Sequence, residues 1–184
     1  MSESPVGSDL DGLDIVVQAP SWEAHDLDSL AQRAVNATLA HVGVPGTQSE
    51  LTVLGCDDTR IAALNAEFRD KPTPTNVLSW PAQPLAPPRS GSAPPRPVAG
   101  PDGAYDLGDI AISYDTCARE ARESATPFPA HVTHLIVHGT LHLLGYDHET
   151  DADAALMEGI EVEILGNLGI DDPYTANHTI TGAL

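Results

Sequence analysis

Three histidines lie within eleven residues, in the stretch "HGTLHLLGYDH" at 138–148. His138 and His142 are four residues apart, so in a helix they would point to the same side. Gly145 can adopt the left-handed conformation that ends a helix, which would bring His148 back over the same point. Three neutral imidazoles can bind one Zn²⁺ and leave its fourth tetrahedral position open, as in catalytic zinc sites. We therefore predict a metal site formed by His138, His142 and His148, with one Zn²⁺ or another divalent ion that imidazole suits.

The same histidine spacing occurs in zinc peptidases, where a glutamate follows the first histidine and acts as the general base. This chain has Gly139 there, so peptide hydrolysis would need a carboxylate from elsewhere in the fold. His134 would share the helix face, either supporting the site or simply packing, and we favour packing. The spacing of the remaining histidines indicates no role for them: His25, His41, His131 and His178.

Length and composition favour one folded domain over residues 1–184, since 41% of the chain is hydrophobic. It has no apolar run of about 18 residues, so no membrane-spanning helix is expected. The first residues, "MSESPVGSDLDGLD", lack the basic and apolar regions of a signal peptide, which predicts a cytoplasmic protein. Cys56 and Cys117 are far apart and are expected to be ordinary core residues.

The formal net charge is −19, and Lys71 is the only lysine beside seven arginines. Phosphate contacts normally need lysine and arginine, so this charge argues against a nucleic-acid ligand, and DNA binding is not expected. Binding of RNA would instead depend on a single arginine that holds a phosphate beside the metal, or on a partner that presents the RNA.

Periodicity and turn residues predict an α+β fold: a single domain with a small mixed four-stranded sheet, about five helices, and the metal site on a central helix. The predicted strands are 13–20, 49–55, 75–81 and 106–113. The predicted helices are 26–43, 57–69, 114–124, one opened by Pro127 and Pro129 that carries the histidines, and 151–169. Segment 81–103 is dominated by Pro, Gly, Ala and Ser, which predicts a long mobile loop. The last ten residues are expected to form a loose tail.

Four motifs follow one another in a distinctive order: "LNAEFRDKPTPTNVLSWP" at 64–81, "LGDIAIS" at 107–113, the histidine stretch, and "MEGIEVEILGNLGIDDPY" at 157–174. In these motifs the chain resembles the YbeY family of bacterial endoribonucleases and rRNA maturation factors, clearly over about residues 50–174. Asn76 stands where that family usually has Asp, and Trp80 where it usually has Phe. The 81–103 loop is longer than is typical of the family.

The resemblance implies a zinc-dependent endoribonuclease that cleaves single-stranded RNA, with roles in 16S rRNA 3′-end maturation and ribosome quality control. It also implies the ribosome or ribosomal proteins as partners and Arg69 as a functional residue beside the metal. Phosphodiester cleavage depends mainly on neutralising developing charge, which a metal and an arginine can do without a glutamate at 139. Two alternatives stay open: a metallopeptidase-like hydrolase, and a non-catalytic ribosome-assembly factor with a structural zinc.

Overall fold

A computed structural model describes residues 10–175 of the protein. Within this range, four strands and five α-helices follow in mixed order. They are β1 (Gly12–Val17), α1 (Leu27–Val42), β2 (Ser49–Cys56), α2 (Asp58–Arg69), β3 (Val77–Pro81), β4 (Tyr105–Ser113), α3 (Tyr114–Glu123), α4 (Phe128–Leu143) and α5 (Asp151–Asn167). Short 3-10 turns at Pro20–Ala24 and Gly46–Gln48 join some of them.

The four strands form one mixed sheet in the order β1-β2-β4-β3. β1, β2 and β4 are parallel, while β3 pairs antiparallel with β4 and forms one edge. The predicted single α+β domain with a four-stranded mixed sheet is therefore confirmed. β1 ends three residues earlier than predicted because Pro20 opens a 3-10 turn, which buries Trp22 to 1% exposure.

The two faces of the sheet are covered by different helices. Alternate residues of β4 point to opposite faces, so Ile110 and Ile112 join the large core with α1, α4 and α5, whereas Ala111 faces away. On that second face, Ala111 and Leu78 pack against Ile61 of α2. α4 packs against both β3 and β4 and against α1, α3 and α5, so it is the central helix of the domain.

Segment 81–103 contains no helix or strand beyond the end of β3, as its composition predicted. The segment is nevertheless held against the domain by hydrogen bonds and by a buried side chain. Gln83 exchanges two hydrogen bonds with the backbone of Val98, and Arg96 donates to the Gly43 carbonyl at the end of α1 at 2.6 Å. Leu85 is only 8% exposed, so the segment also contributes to the buried interior.

Three smaller predictions have different outcomes. Cys56 and Cys117 are buried and unpaired, as expected of core residues. None of the helices in residues 10–175 combines the length and apolar character needed to cross a membrane. The predicted loose tail lies outside the described residues, apart from residue 175.

Candidate functional site

One side of α4 carries a row of histidines. His131, His134, His138 and His142 follow one another at spacings of three and four residues, and each is partly buried. Residues at these spacings share one helix face. Most of the remaining helix surface is fixed in the core by residues such as Ile136 and Leu141, which are completely buried. The packing of the central helix therefore presents the four imidazoles on the same side.

The predicted ligands come together at the carboxyl end of this row. His138, His142 and His148 each offer one ring nitrogen, and these atoms all lie within 4.8 Å of one another. The Nε2 atoms of His138 and His142 are 3.0 Å apart, and the ring of His148 lies against both, with centroid distances of 5.5 and 5.1 Å. Nitrogens that converge in this way from a helix and a turn could hold one metal ion.

The turn that brings His148 back depends on Gly145. Its φ of +99° lies in a region that L-residues rarely adopt, and a Cβ there would lie 2.1 Å from the Leu85 carbonyl oxygen. Both the backbone conformation and the close approach of segment 81–103 therefore require glycine at this position.

Gly139, which follows the first histidine, faces the sheet and not the site. A Cβ at this position would lie 3.2 Å from Cδ1 of Ile110 on β4. A larger side chain here would crowd Ile110 in the core, so the packing of α4 disfavours the general base of a zinc peptidase at 139. This packing is a physical reason, beyond the sequence difference, for setting the peptidase interpretation aside.

Glu161 of α5 is the site residue that sequence reasoning missed. Its side chain is 0% exposed, and His138 donates from Nδ1 to its Oε2 at 2.7 Å. A histidine whose Nδ1 proton is held by a carboxylate presents Nε2 to a metal, a common arrangement around zinc. His142 is fixed similarly, because its Nδ1 donates to the Tyr146 carbonyl at 2.9 Å.

His134 contacts the same carboxylate, so the preference for a merely packed His134 is wrong. Its Nε2 donates to Oε1 of Glu161 at 2.9 Å, and the Tyr174 hydroxyl donates to that same oxygen. Glu161 thus receives hydrogen bonds from two histidines of α4 and from the segment that follows α5. The outcome is a buried, fully paired carboxylate that holds His138 in one orientation.

Two pKa shifts in the cluster follow from these surroundings. Burial, with the neighbouring His138 and His148, lowers the pKa of His142 to about 4, so its ring is neutral near pH 7. Burial alone would raise the pKa of Glu161, but the hydrogen bonds from His134 and His138 outweigh it and lower that pKa to about 2. At neutral pH the site therefore combines a neutral His142 with an ionised Glu161.

A second carboxylate–histidine pair lies nearer the amino end of α4. His131 donates from Nε2 to Glu120 at 2.9 Å, and Asn76 donates to the same carboxylate at 3.1 Å. Burial opposes ionisation of Glu120, but these two hydrogen bonds outweigh it and lower its pKa. An aspartate at position 76 would instead place a second negative charge against Glu120, so Asn76 suits this neighbourhood.

Arg69 lies at the end of α2, on the other face of the sheet from α4, and is exposed. Its guanidinium reaches β3 and donates to the Ser79 carbonyl at 3.3 Å. Ser79 pairs with Ile110, the residue that packs beneath Gly139. The structure thus ties Arg69 to the edge strand that supports α4, whereas the contacts of residues 10–175 do not bring it into the histidine cluster itself.

Comparisons with known proteins agree with this architecture. Residues 16–169 match the family model described as Endoribonuclease YbeY. The chain is 60% identical to the Endoribonuclease YbeY of Ruegeria pomeroyi over 89% of this chain and 98% of that protein. It is 57% identical to the Endoribonuclease YbeY of Dinoroseobacter shibae over 88% of this chain and 90% of that protein.

A solved structure shows the same fold at lower identity. The solution structure of TM1509 from Thermotoga maritima covers 85% of this chain and 91% of its own, with a TM-score of 0.50 and 21% identity. The family match extends over β2, β3, β4, the histidine helix and α5. The chain therefore belongs to the YbeY family.

Proposed function

We propose that the protein is a metal-dependent endoribonuclease that cleaves single-stranded RNA, with one Zn²⁺ held by His138, His142 and His148. The observation that carries the proposal is the convergence of three ring nitrogens within 4.8 Å. The donor set fits zinc, because the backbone and Glu161 engage the Nδ1 atoms of two of these rings and leave Nε2 for the ion. The names of the relatives, each an Endoribonuclease YbeY, support RNA as the substrate.

A zinc ion held by His138, His142 and His148 would supply Lewis-acid polarisation of the phosphate. The residues of the chain orient the substrate. In our proposal the Arg69 guanidinium binds the phosphate through two parallel hydrogen bonds and shares the negative charge that develops during cleavage. The anchorage of Arg69 on β3, against which α4 packs, supports this role.

We further propose that the substrate is ribosomal RNA, cleaved during 16S rRNA 3′-end maturation and ribosome quality control in the cytoplasm. The formal net charge of −19 disfavours unassisted capture of RNA, since phosphates repel an acidic surface. Delivery of the RNA by the ribosome or by a ribosomal protein would overcome this repulsion. Family membership supports that assignment.

The proposed activity is tested by incubating the purified protein with a single-stranded RNA and with casein, each with and without a chelator. We expect RNA cleavage that the chelator abolishes and added Zn²⁺ restores, and no cleavage of casein. Cleavage of casein alone would favour the metallopeptidase alternative. Tightly bound zinc without any cleavage would favour the assembly-factor alternative.

We expect Glu161→Gln to weaken zinc binding by roughly 10- to 100-fold, the usual cost of losing a carboxylate behind a ligand histidine. Glutamine keeps the size of the side chain, but its amide NH₂ cannot accept a hydrogen bond, so one of the bonds from His138 and His134 is lost. Competition with a zinc-binding indicator measures the affinity. Glu120→Gln is the matched control, because it alters another glutamate–histidine pair and should leave zinc affinity unchanged. Equal affinity in the two variants would contradict this role of Glu161.

A further inference from the structure

Phe68 is the one large aromatic side chain among the strongly exposed hydrophobic residues of the described chain. It is 57% exposed at the last turn of α2. Its ring meets Trp80 of β3 edge-to-face, with centroids 5.5 Å apart and planes at 70°. The indole Nε1 of Trp80 is buried without a hydrogen-bond partner in residues 10–175, so packing sets its orientation. An exposed aromatic supported by a second ring is a surface on which a flat ligand can stack.

Local hydrogen bonds hold the turn that presents Phe68. Asp70 ends α2 with φ of 59°, and the backbone of Lys71 donates to the Asn65 carbonyl at 3.1 Å. The Asn65 amide in turn donates to the Thr73 carbonyl at 2.9 Å. Local hydrogen bonds therefore fix the backbone on both sides of the aromatic residue, and binding there would cost little ordering of the chain.

Two cations and two carboxylates surround the ring. Arg69 and Lys71, two of the eight lysines and arginines of the chain, are exposed on the same turn. The exposed carboxylates of Glu67 and Asp70 offset them, so long-range attraction of phosphates is weak here. Binding of single-stranded RNA to this turn must therefore draw on base stacking, which every base can provide, with the cations contacting the backbone.

The position of the turn connects it to the histidine cluster. β3 is an edge strand, and Arg69 reaches its Ser79 carbonyl from the α2 face of the sheet. α4, with the histidines, packs against the same strand on the opposite face. A strand of RNA lying across this edge would meet the aromatic pair on one side and the histidine row on the other.

We propose that Phe68, backed by Trp80, is a stacking platform for one base of single-stranded RNA, next to the phosphate that Arg69 binds. The inference rests on the proposed function, which names RNA as the substrate. It adds a binding residue that takes no part in the chemistry. The platform recognises the flat face of a base, so it confers preference for unpaired nucleotides without preference for sequence.

The test measures binding of a fluorescently labelled 2′-O-methyl oligoadenylate of roughly 12 nucleotides, within the range of single-strand sites, to the zinc-loaded protein. We expect Phe68→Ala to weaken binding by roughly 5- to 100-fold, the range for losing one stacked aromatic. Phe68→Trp should restore it. Because Phe68 is exposed, the variant should remain folded, as thermal unfolding would show. Val17→Ala, which trims another exposed hydrophobic at the opposite edge of the sheet, should bind like the wild type.

An abasic scan shows whether the ring contacts a base. Bases are removed from the oligonucleotide one at a time. At one position the loss of the base should weaken binding to the wild type, whereas Phe68→Ala should bind the abasic and the intact oligonucleotide equally. Wild-type affinity in Phe68→Ala, or an abasic penalty that persists in it, would overturn the platform. Phe68-dependent binding with no cleavage of unmodified RNA would support the platform and contradict the proposed activity. Cleavage of unmodified RNA with a KM that Phe68→Ala leaves unchanged would support the proposed activity and contradict the platform.

Discussion

His142→Ala is expected to abolish stoichiometric zinc binding and, with it, RNA cleavage. His142 supplies one of the three converging nitrogens and is positioned through the Tyr146 carbonyl. Removing one of three ligands leaves two imidazoles, which bind zinc too weakly to survive dialysis. Metal analysis of the dialysed protein and RNA cleavage by the same preparation measure the two effects.

The stability of this variant should fall as well, because ligand binding to the native state contributes to its free energy of unfolding. Thermal unfolding of zinc-loaded and chelator-treated wild type, compared with the variant, separates this contribution from packing. His41→Ala is the matched control, since His41 pairs with Glu163 outside the cluster. Full zinc content in dialysed His142→Ala would show that the three histidines are not the ligands.

Arg69→Ala is expected to reduce RNA cleavage by about 100-fold or more, the scale seen when one transition-state donor is removed. Metal content and folding should change little, because the side chain is exposed and makes a single hydrogen bond, to the Ser79 carbonyl, among the described residues. Arg69→Lys should recover only part of the rate, since an ammonium keeps the charge but loses the two-pronged contact with phosphate.

Arg60→Ala provides the matched control, because Arg60 is exposed at the other end of the same helix. Single-turnover cleavage by all four proteins, each loaded with zinc, gives the comparison. If Arg69→Ala and Arg69→Lys both cleave at the wild-type rate while folded and metal-loaded, Arg69 is a solvated surface charge. The proposed mechanism would then lack its second positive group.

The clustering of the three histidines could be predicted from the sequence because the relation among them is local. Four residues of helix and one glycine turn determine where His138, His142 and His148 lie. The sheet was also predictable, since each strand has its own pattern of apolar residues and each break has its own turn residues. The largest boundary error is at the end of β1, where Pro20 and the burial of Trp22 override a β-branched run.

Glu161 could not be placed in the site in the same way, because its partners lie on a different helix. A signal was nonetheless present: α5 carries this glutamate on its buried face, beside Met157, Ile164 and Leu165. A carboxylate at a core position of an amphipathic helix needs a buried partner, and the unassigned histidines of α4 were candidates. The hydrogen bonds from segment 81–103 to Gly43 and Thr150 could not be predicted for a similar reason. The composition of the segment argues against regular structure but says nothing about distant partners.

The bond between His138 and Glu161 also has a consequence for the order in which the site is completed during synthesis. Glu161 is translated 23 residues after His138, and Tyr174 is translated 40 residues after His134. A nascent chain whose histidine helix has already emerged therefore still lacks the carboxylate that orients the first ligand. The supports of the first ligand in the centre proposed to cut RNA are therefore complete only after α5 and Tyr174 have been synthesised.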